Sequence, residues 1–279
     1  MSKSSEISVA NLIKDVDTWY ANLPITDPQI VEKANVAGRA WDKIGVTRDR
    51  IIAVRGWKPA LPLIEKNFDS LLRELGIFYC PKKVREVGPA FVFPLRDYKG
   101  TINYAQTKPL EGSPLSGDGK FKYHYIGEEP KGPRWFGNTP EMLQKVVNSS
   151  LLIVVEGPFD LLAARLVAPI APIMSPLTKT LGKEHIAFIR MLGIKKLILL
   201  YDNEKPDLAK GKKLGAGNAA AKIQVKEVQE ACEGRVSVES MTCPASDPSK
   251  ALENFEDAEQ LKLLLRKFNV VPTTVDDDE

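Results

Sequence analysis

Histidine and cysteine are scarce in this chain of 279 residues: His124 and His185 are the only two of one, Cys80, Cys232 and Cys243 the three of the other. A four-ligand zinc site needs more nitrogen and sulfur donors than these, set closer together, so no zinc is expected. The cysteines lack Cys-x-x-Cys spacing and are too scattered for a disulfide framework, which fits a reduced, cytoplasmic setting. No apolar run approaches the roughly 20 residues that span a bilayer. The opening Met1-Ser-Lys-Ser-Ser-Glu has no apolar signal region, so neither a membrane partner nor export is expected. An excess of one charge is missing too. Lys and Arg number 39 against 36 Asp and Glu, a net of +3, so the distribution of charge, and not its sum, bears on a nucleic-acid partner.

What is present is an ordinary globular composition. Apolar residues make up 43% and charged residues 27%, enough to build one large domain or two modest ones. Residues 1–80 read as a helical, polar region punctuated by Pro24, Pro28, Pro59 and Pro62. Its best helix runs from Leu61 to Leu75, with Leu61, Ile64, Phe68, Leu71, Leu72 and Leu75 at helical spacing and Gly76 where a C-terminal cap belongs. Residues 81–145 read as a mixed α+β subdomain. Ala90–Leu95 and Thr101–Ala105 are strand-like around the turn Asp97-Tyr-Lys-Gly100, and Phe121–Ile126 alternates as a half-buried strand. Residues 146–270 alternate strands and helices: strands at Leu151–Val155, Ala171–Met174, Lys196–Tyr201 and Val236–Met241, helices at Phe159–Val167, His185–Leu192, Asn218–Ala231 and Ala258–Phe268. That order implies right-handed crossovers and a Rossmann-like parallel sheet, so the fold class is α/β. Residues 271–279 end in the acidic run Val275-Asp-Asp-Asp-Glu279, which reads as a disordered tail.

In such a sheet, chemistry collects at the carboxyl ends of the strands. Three predicted strands run into acidic residues: one into Glu156-Gly157 with Asp160 four positions after the glutamate, one into Asp202-Asn203-Glu204, and one, after a short loop, into Asp247-Pro248. Each piece alone is commonplace, because strand ends are often acidic and Asp-x-Glu often caps a helix. Together they place up to five carboxylates at neighbouring strand ends, about 4.8 Å apart. Crowding like charges costs free energy unless a cation joins them. Hard oxygen donors favour Mg2+ or Mn2+ over zinc, the ions that serve phosphoryl transfer.

These residues resemble the Toprim fold of DnaG-type primases, topoisomerases and some nucleases. Val155-Glu-Gly-Pro-Phe-Asp-Leu-Leu-Ala-Ala164 is similar to the first primase motif, Val-Glu-Gly-Tyr-x-Asp followed by a helix. Leu199-Leu-Tyr-Asp-Asn-Glu204 resembles the second, Phe-Asp-x-Asp followed by Ala-Gly, and Cys243-Pro-Ala-Ser-Asp-Pro-Ser249 the third, Asp-Pro-Asp. Upstream, Phe93-Pro-Leu-Arg-Asp-Tyr-Lys-Gly100 and Gly132-Pro-Arg-Trp-Phe-Gly-Asn138 resemble segments of the primase core. The resemblance covers about Phe91 to Phe268. The departures are Glu204 for aspartate, Ser249 for the last acid, and a lysine-rich insertion, Lys205-Pro-Asp-Leu-Ala-Lys-Gly-Lys-Lys-Leu-Gly, between the second motif and its helix. No zinc ribbon and no Gly-x-x-x-x-Gly-Lys-Ser/Thr motor motif is found.

The resemblance implies a primase that joins ribonucleoside triphosphates on a single-stranded DNA template. Glu156, Asp202 and Glu204 would be catalytic, and Glu156, Asp160, Asp202, Glu204 and Asp247 would hold Mg2+ or Mn2+. Arg134 and Trp135 would meet nucleotide or template, with Arg96, Lys99, Lys108, Lys120, Lys122 and Lys131 as further cations along a groove. A small primase without ribbon or motor suits phage- or mobile-element-type replication with a separate replicative helicase, its compartment then being the host cytoplasm. Two rival readings stand beside this one: a Toprim nuclease, and a non-catalytic replication adaptor, which the serine at position 249 favours. His185 is read as structural, and His124, in an aromatic strand, is assigned no catalytic role.

Overall fold

The structure is a computed structural model and describes residues 43–80, 90–96, 102–110, 124–127, 134–203 and 216–269. Glu204, the lysine-rich insertion, Lys99, Lys120, Lys122, Lys131 and the acidic tail lie outside the described residues. Among those described, 43–54 with 68–136 form one compact unit and 55–67 with 137–269 form another.

The first unit is organised by an antiparallel sheet in the order β1-β2-β3-β4, with β1 at Phe78–Cys80, β2 at Ala90–Arg96, β3 at Ile102–Pro109 and β4 at His124–Gly127. The expected hairpin is there: Phe93 pairs with Gln106 and Leu95 with Tyr104. Pro94, which cannot donate to the ladder, is followed by a register shift between Leu95 and Arg96. Strand β1 lies inside the stretch read as helical. Its Phe78 and Tyr79 pair with Val92 and Phe91, and three residues are too few for a sequence period to register.

Helices α1 (Lys43–Arg55) and α2 (Leu61–Leu75) come before this sheet in the chain. Helix α2 has the bounds its apolar spacing predicts, and Ile64, Phe68, Leu71, Leu72 and Leu75 are buried. Gly76 ends it at φ 69°, and Ile77 N–H donates back to the Leu72 carbonyl at 3.1 Å. That left-handed cap is a conformation glycine adopts without a Cβ penalty.

The second unit carries a four-stranded, all-parallel sheet in the order β6-β5-β7-β8: β5 is Leu151–Val154, β6 Ile173–Met174, β7 Lys196–Leu199 and β8 Ser237–Ser240. Strand β5, Leu-Leu-Ile-Val, is buried along its whole length, as a central strand covered on both faces must be. Helices α4 (Pro158–Val167), α5 (Lys183–Met191) and α6 (Ala216–Ala231) connect the strands, and α7 (Pro248–Ala251) and α8 (Phe255–Arg266) close the unit. Helix α3 (Pro140–Ser149) has no counterpart among the predicted elements. Its start is nevertheless written in the sequence, because the Thr139 hydroxyl accepts the Met142 N–H and Pro140 fills the first turn. Among the described residues no helix is long and apolar enough to cross a membrane.

Candidate active site

Register fixes the site. In β5 and β7, Val154 pairs with Leu199, so Glu156 and Asp202 leave adjacent strands at the same sheet edge. The backbone N–H of Asp202 donates to Glu156 Oε1 at 3.0 Å. The other oxygen, Oε2, lies 3.3 Å from the Lys179 ammonium, which is also 3.8 Å from Asp202 Oδ2. Two carboxylates therefore converge on one cation. Glu156 is only 8% exposed, and its carbonyl accepts from the Ser175 hydroxyl at 2.9 Å.

Asp160 is held through both of its carboxylate oxygens. Helix α4 begins at Pro158, so Glu156 lies outside it and the pair does not share a helical face. Asp160 Oδ2 accepts the Gly157 N–H at 3.0 Å, the reach-back half of a capping box, and Oδ1 accepts the Ser249 N–H at 3.3 Å. Both oxygens thus tie backbone to backbone. Asp247 caps α7, accepting the Lys250 N–H at 2.7 Å. Among the described residues no group of three His, Cys, Asp or Glu side chains is placed to hold a metal ion; the donors that do converge are Glu156 and Asp202.

Charge crowding is nonetheless pronounced. Burial pushes the Asp202 carboxyl up to about 8, with repulsion from Asp160, Glu156 and Asp247 adding to it and Lys179 opposing. Burial and then the Asp247 charge push Asp160 up to about 7, against the Ser249 N–H and Arg55, with Glu156 adding. Burial also drives the Cys243 thiol up to about 12, so no thiolate competes with the oxygen donors. The donors in this corner are hard carboxylate oxygens, the class that Mg2+ and Mn2+ prefer over nitrogen or sulfur.

The helix after the second motif is pressed onto Asp202. A Cβ on Gly217 would collide with the Asp202 backbone carbonyl, so only glycine allows that approach. Asn203, between the two acids of the second motif, links the loops: its Nδ2 donates to the Cys243 carbonyl at 3.2 Å, and its Oδ1 accepts from Asn218 Nδ2 at 2.9 Å.

Three contributors escaped the sequence reading. Lys179 sits in the β6–α5 connection with no motif around it. Arg55, far away in sequence, donates from Nε to the Ser249 hydroxyl at 2.9 Å and lies 5.0 Å over the Phe159 ring. Trp57 Nε1 donates to the Ser249 carbonyl at 2.8 Å and meets Phe159 edge-on at 6.3 Å. Ser249 is fully buried, so the residue read as a lost acid is a packed junction for Arg55, Trp57 and Asp160. No sequence signal marks such a long-range tie.

In the first unit, Arg134 lies 5.5 Å over the Tyr104 ring and 5.4 Å over the Tyr125 ring, and those rings stack at 5.3 Å. Trp135 is 1% exposed, which leaves no open face for a stacked base. Arg96 and Lys108 stand on β2 and β3.

Neither protein-family models nor curated protein sequences match the chain. Solved structures do. The RNA polymerase domain of Mycobacterium tuberculosis primase DnaG in complex with double-stranded DNA aligns at TM-score 0.53 and 17% identity, covering 79% of each chain. The Aquifex aeolicus primase, with zinc-binding and RNA polymerase domains, aligns at TM-score 0.51 and 21% identity over 85% of this chain and 66%, just under two thirds, of that one. A DnaG primase catalytic domain bound to single-stranded DNA aligns at TM-score 0.50 and 20% identity over 91% and 77%. The parallel α/β sheet and the small antiparallel sheet are thus those of the DnaG primase catalytic-core fold.

Proposed function

We propose that this chain is a primase core that joins ribonucleoside triphosphates on a single-stranded DNA template. The observation that supports it most is the convergence of Glu156 and Asp202, on adjacent parallel strand ends, upon a single point of positive charge. The reading also rests on the DnaG core fold, which other chemistries can share.

Glu156 and Asp202, with Glu204 of the second motif, would hold Mg2+ or Mn2+. When bound, the ion would neutralise charge on the triphosphate and acidify the attacking hydroxyl. The chain's own part is positional. The Asp202 N–H holds one Glu156 oxygen, and the other, beside the Lys179 ammonium, is the one that would ligate an ion. Asp160 fixes the start of α4 against the Ser249 backbone, and Gly217 lets α6 begin against Asp202. Arg134, held over two tyrosine rings, would steady phosphates as a planar cation. Template and separate-helicase partnership, and a phage- or mobile-element setting, belong to the same proposal.

The test is incubation with single-stranded DNA, labelled ribonucleoside triphosphates and Mg2+. Labelled oligoribonucleotides support the reading. Shortened DNA without them would move the assignment to a nuclease, and no metal-dependent product at all would leave an adaptor.

A further inference from the structure

Lys179 is the one cation that touches both converging carboxylates among the described residues, at 3.3 Å from Glu156 and 3.8 Å from Asp202. The loop that carries it is anchored to the same site. Ser175 donates its hydroxyl proton to the Glu156 carbonyl at 2.9 Å and accepts the Leu177 N–H at 3.1 Å. Leu177 adopts a left-handed backbone at φ 59°, a conformation unfavourable for a non-glycine residue. Thr178 Oγ1 then accepts the Thr180 N–H at 3.3 Å. This turn aims the lysine stem back at the residue from which the loop hangs. The Lys179 side chain is 45% exposed, and its flexible stem lets the head leave for solvent.

We infer that Lys179 is a tethered counter-cation: it neutralises the Glu156–Asp202 pair in the metal-free protein and must be displaced when a divalent ion binds, so that it sets the ion affinity of the site. The inference rests on the proposed metal-dependent reading. An ion held by both carboxylates at about 2.1 Å would share its position with an ammonium lying only 3.3 and 3.8 Å from the same oxygens. Two positive charges so close repel in a partly dehydrated corner. Binding therefore includes the expulsion of the lysine head, and free ion competes with a cation that cannot diffuse away. Lys179 is thus a residue that acts on the ion site through charge and position, not a group that touches substrate.

The experiment is Mn2+ titration of the full chain, reading free Mn2+ by electron paramagnetic resonance, for wild type, Lys179→Met and Lys179→Arg. Lys179→Met should bind Mn2+ about tenfold more tightly or better, a difference worth ~1.4 kcal/mol, while Lys179→Arg, which keeps the charge, should stay close to wild type. Without metal, Lys179→Met should melt below wild type, and saturating Mn2+ should close the gap, which a merely structural lysine would not produce. Equal or weaker binding by Lys179→Met would overturn the inference while leaving the ion site standing. Absence of Mn2+ binding in all three proteins would instead overturn the metal-dependent reading itself.

Discussion

The backbone N–H of Asp202 and the Oε1 of Glu156 meet at 3.0 Å, so the loop leaving β7 is tied to the side chain leaving β5. One carboxylate thereby does two things: one oxygen satisfies a buried backbone donor, and the other faces Asp202 across Lys179.

Replacing Glu156 separates these two functions. Glu156→Gln keeps an acceptor for the Asp202 N–H but removes the charge, so it should fold normally and lose at least ~100-fold in priming rate, the scale of losing a charge-stabilising group at a reacting centre. Glu156→Ala also strands the N–H and should cost about 1–3 kcal/mol of stability besides. Primer synthesis and chemical denaturation, measured on both variants, check the split.

Crowded carboxylates make the metal-free protein sensitive to pH. Asp160 and Asp202 rise from an ordinary 3.8 to about 7 and about 8, so between those limits the folded chain binds more protons than the unfolded one. Their contribution to stability is full below about 4 and is lost as pH rises through about 7 and 8. In a chelator, Tm should fall as pH rises from 5 to 9. Asp202→Asn should lessen the fall, and saturating Mg2+ should flatten it in the wild type. A Tm in chelator that climbs over this range would count against the arrangement.

Much of this was legible in the residues, and the reasons differ by element. The strand Leu151–Val154 announces itself by an unbroken branched-apolar run, and α2 by its spacing and its terminal glycine. The acidic strand ends were legible because strand pairing alone brings Glu156 and Asp202 together. The four-residue spacing of Glu156 and Asp160 does not make them helical neighbours, because Glu156 lies outside the helix. Lys179, Arg55 and the buried Ser249 were invisible: their roles arise from tertiary contacts, the last two from a pair separated by 194 positions.

Gly217 offers a steric test. Gly217→Ala would drive a Cβ into the Asp202 backbone, which cannot rotate away as a side chain could. Displacement of either segment should cost about 1–3 kcal/mol, as overpacking does, and should weaken Mn2+ binding because Asp202 moves. Denaturant midpoints and Mn2+ titration together report both effects.

Ser249 should matter for stability and little for chemistry. Ser249→Ala leaves its backbone bonds to Asp160 and Trp57 in place but removes the acceptor for Arg55. A loss of about 1–3 kcal/mol is expected, with priming activity retained at temperatures where the variant is folded. Abolished activity in a fully folded variant would instead give the hydroxyl a chemical role.

Anomalous diffraction from crystals of the full chain soaked in Mn2+, collected at the manganese absorption edge, decides whether Glu156 and Asp202 hold an ion. A peak is expected at about 2.1 Å, the distance of a hard-ion oxygen ligand, from carboxylate oxygens of both Glu156 and Asp202, with the Lys179 head moved away. A peak bound elsewhere, or none beside those two residues under saturating Mn2+, would contradict an ion site there.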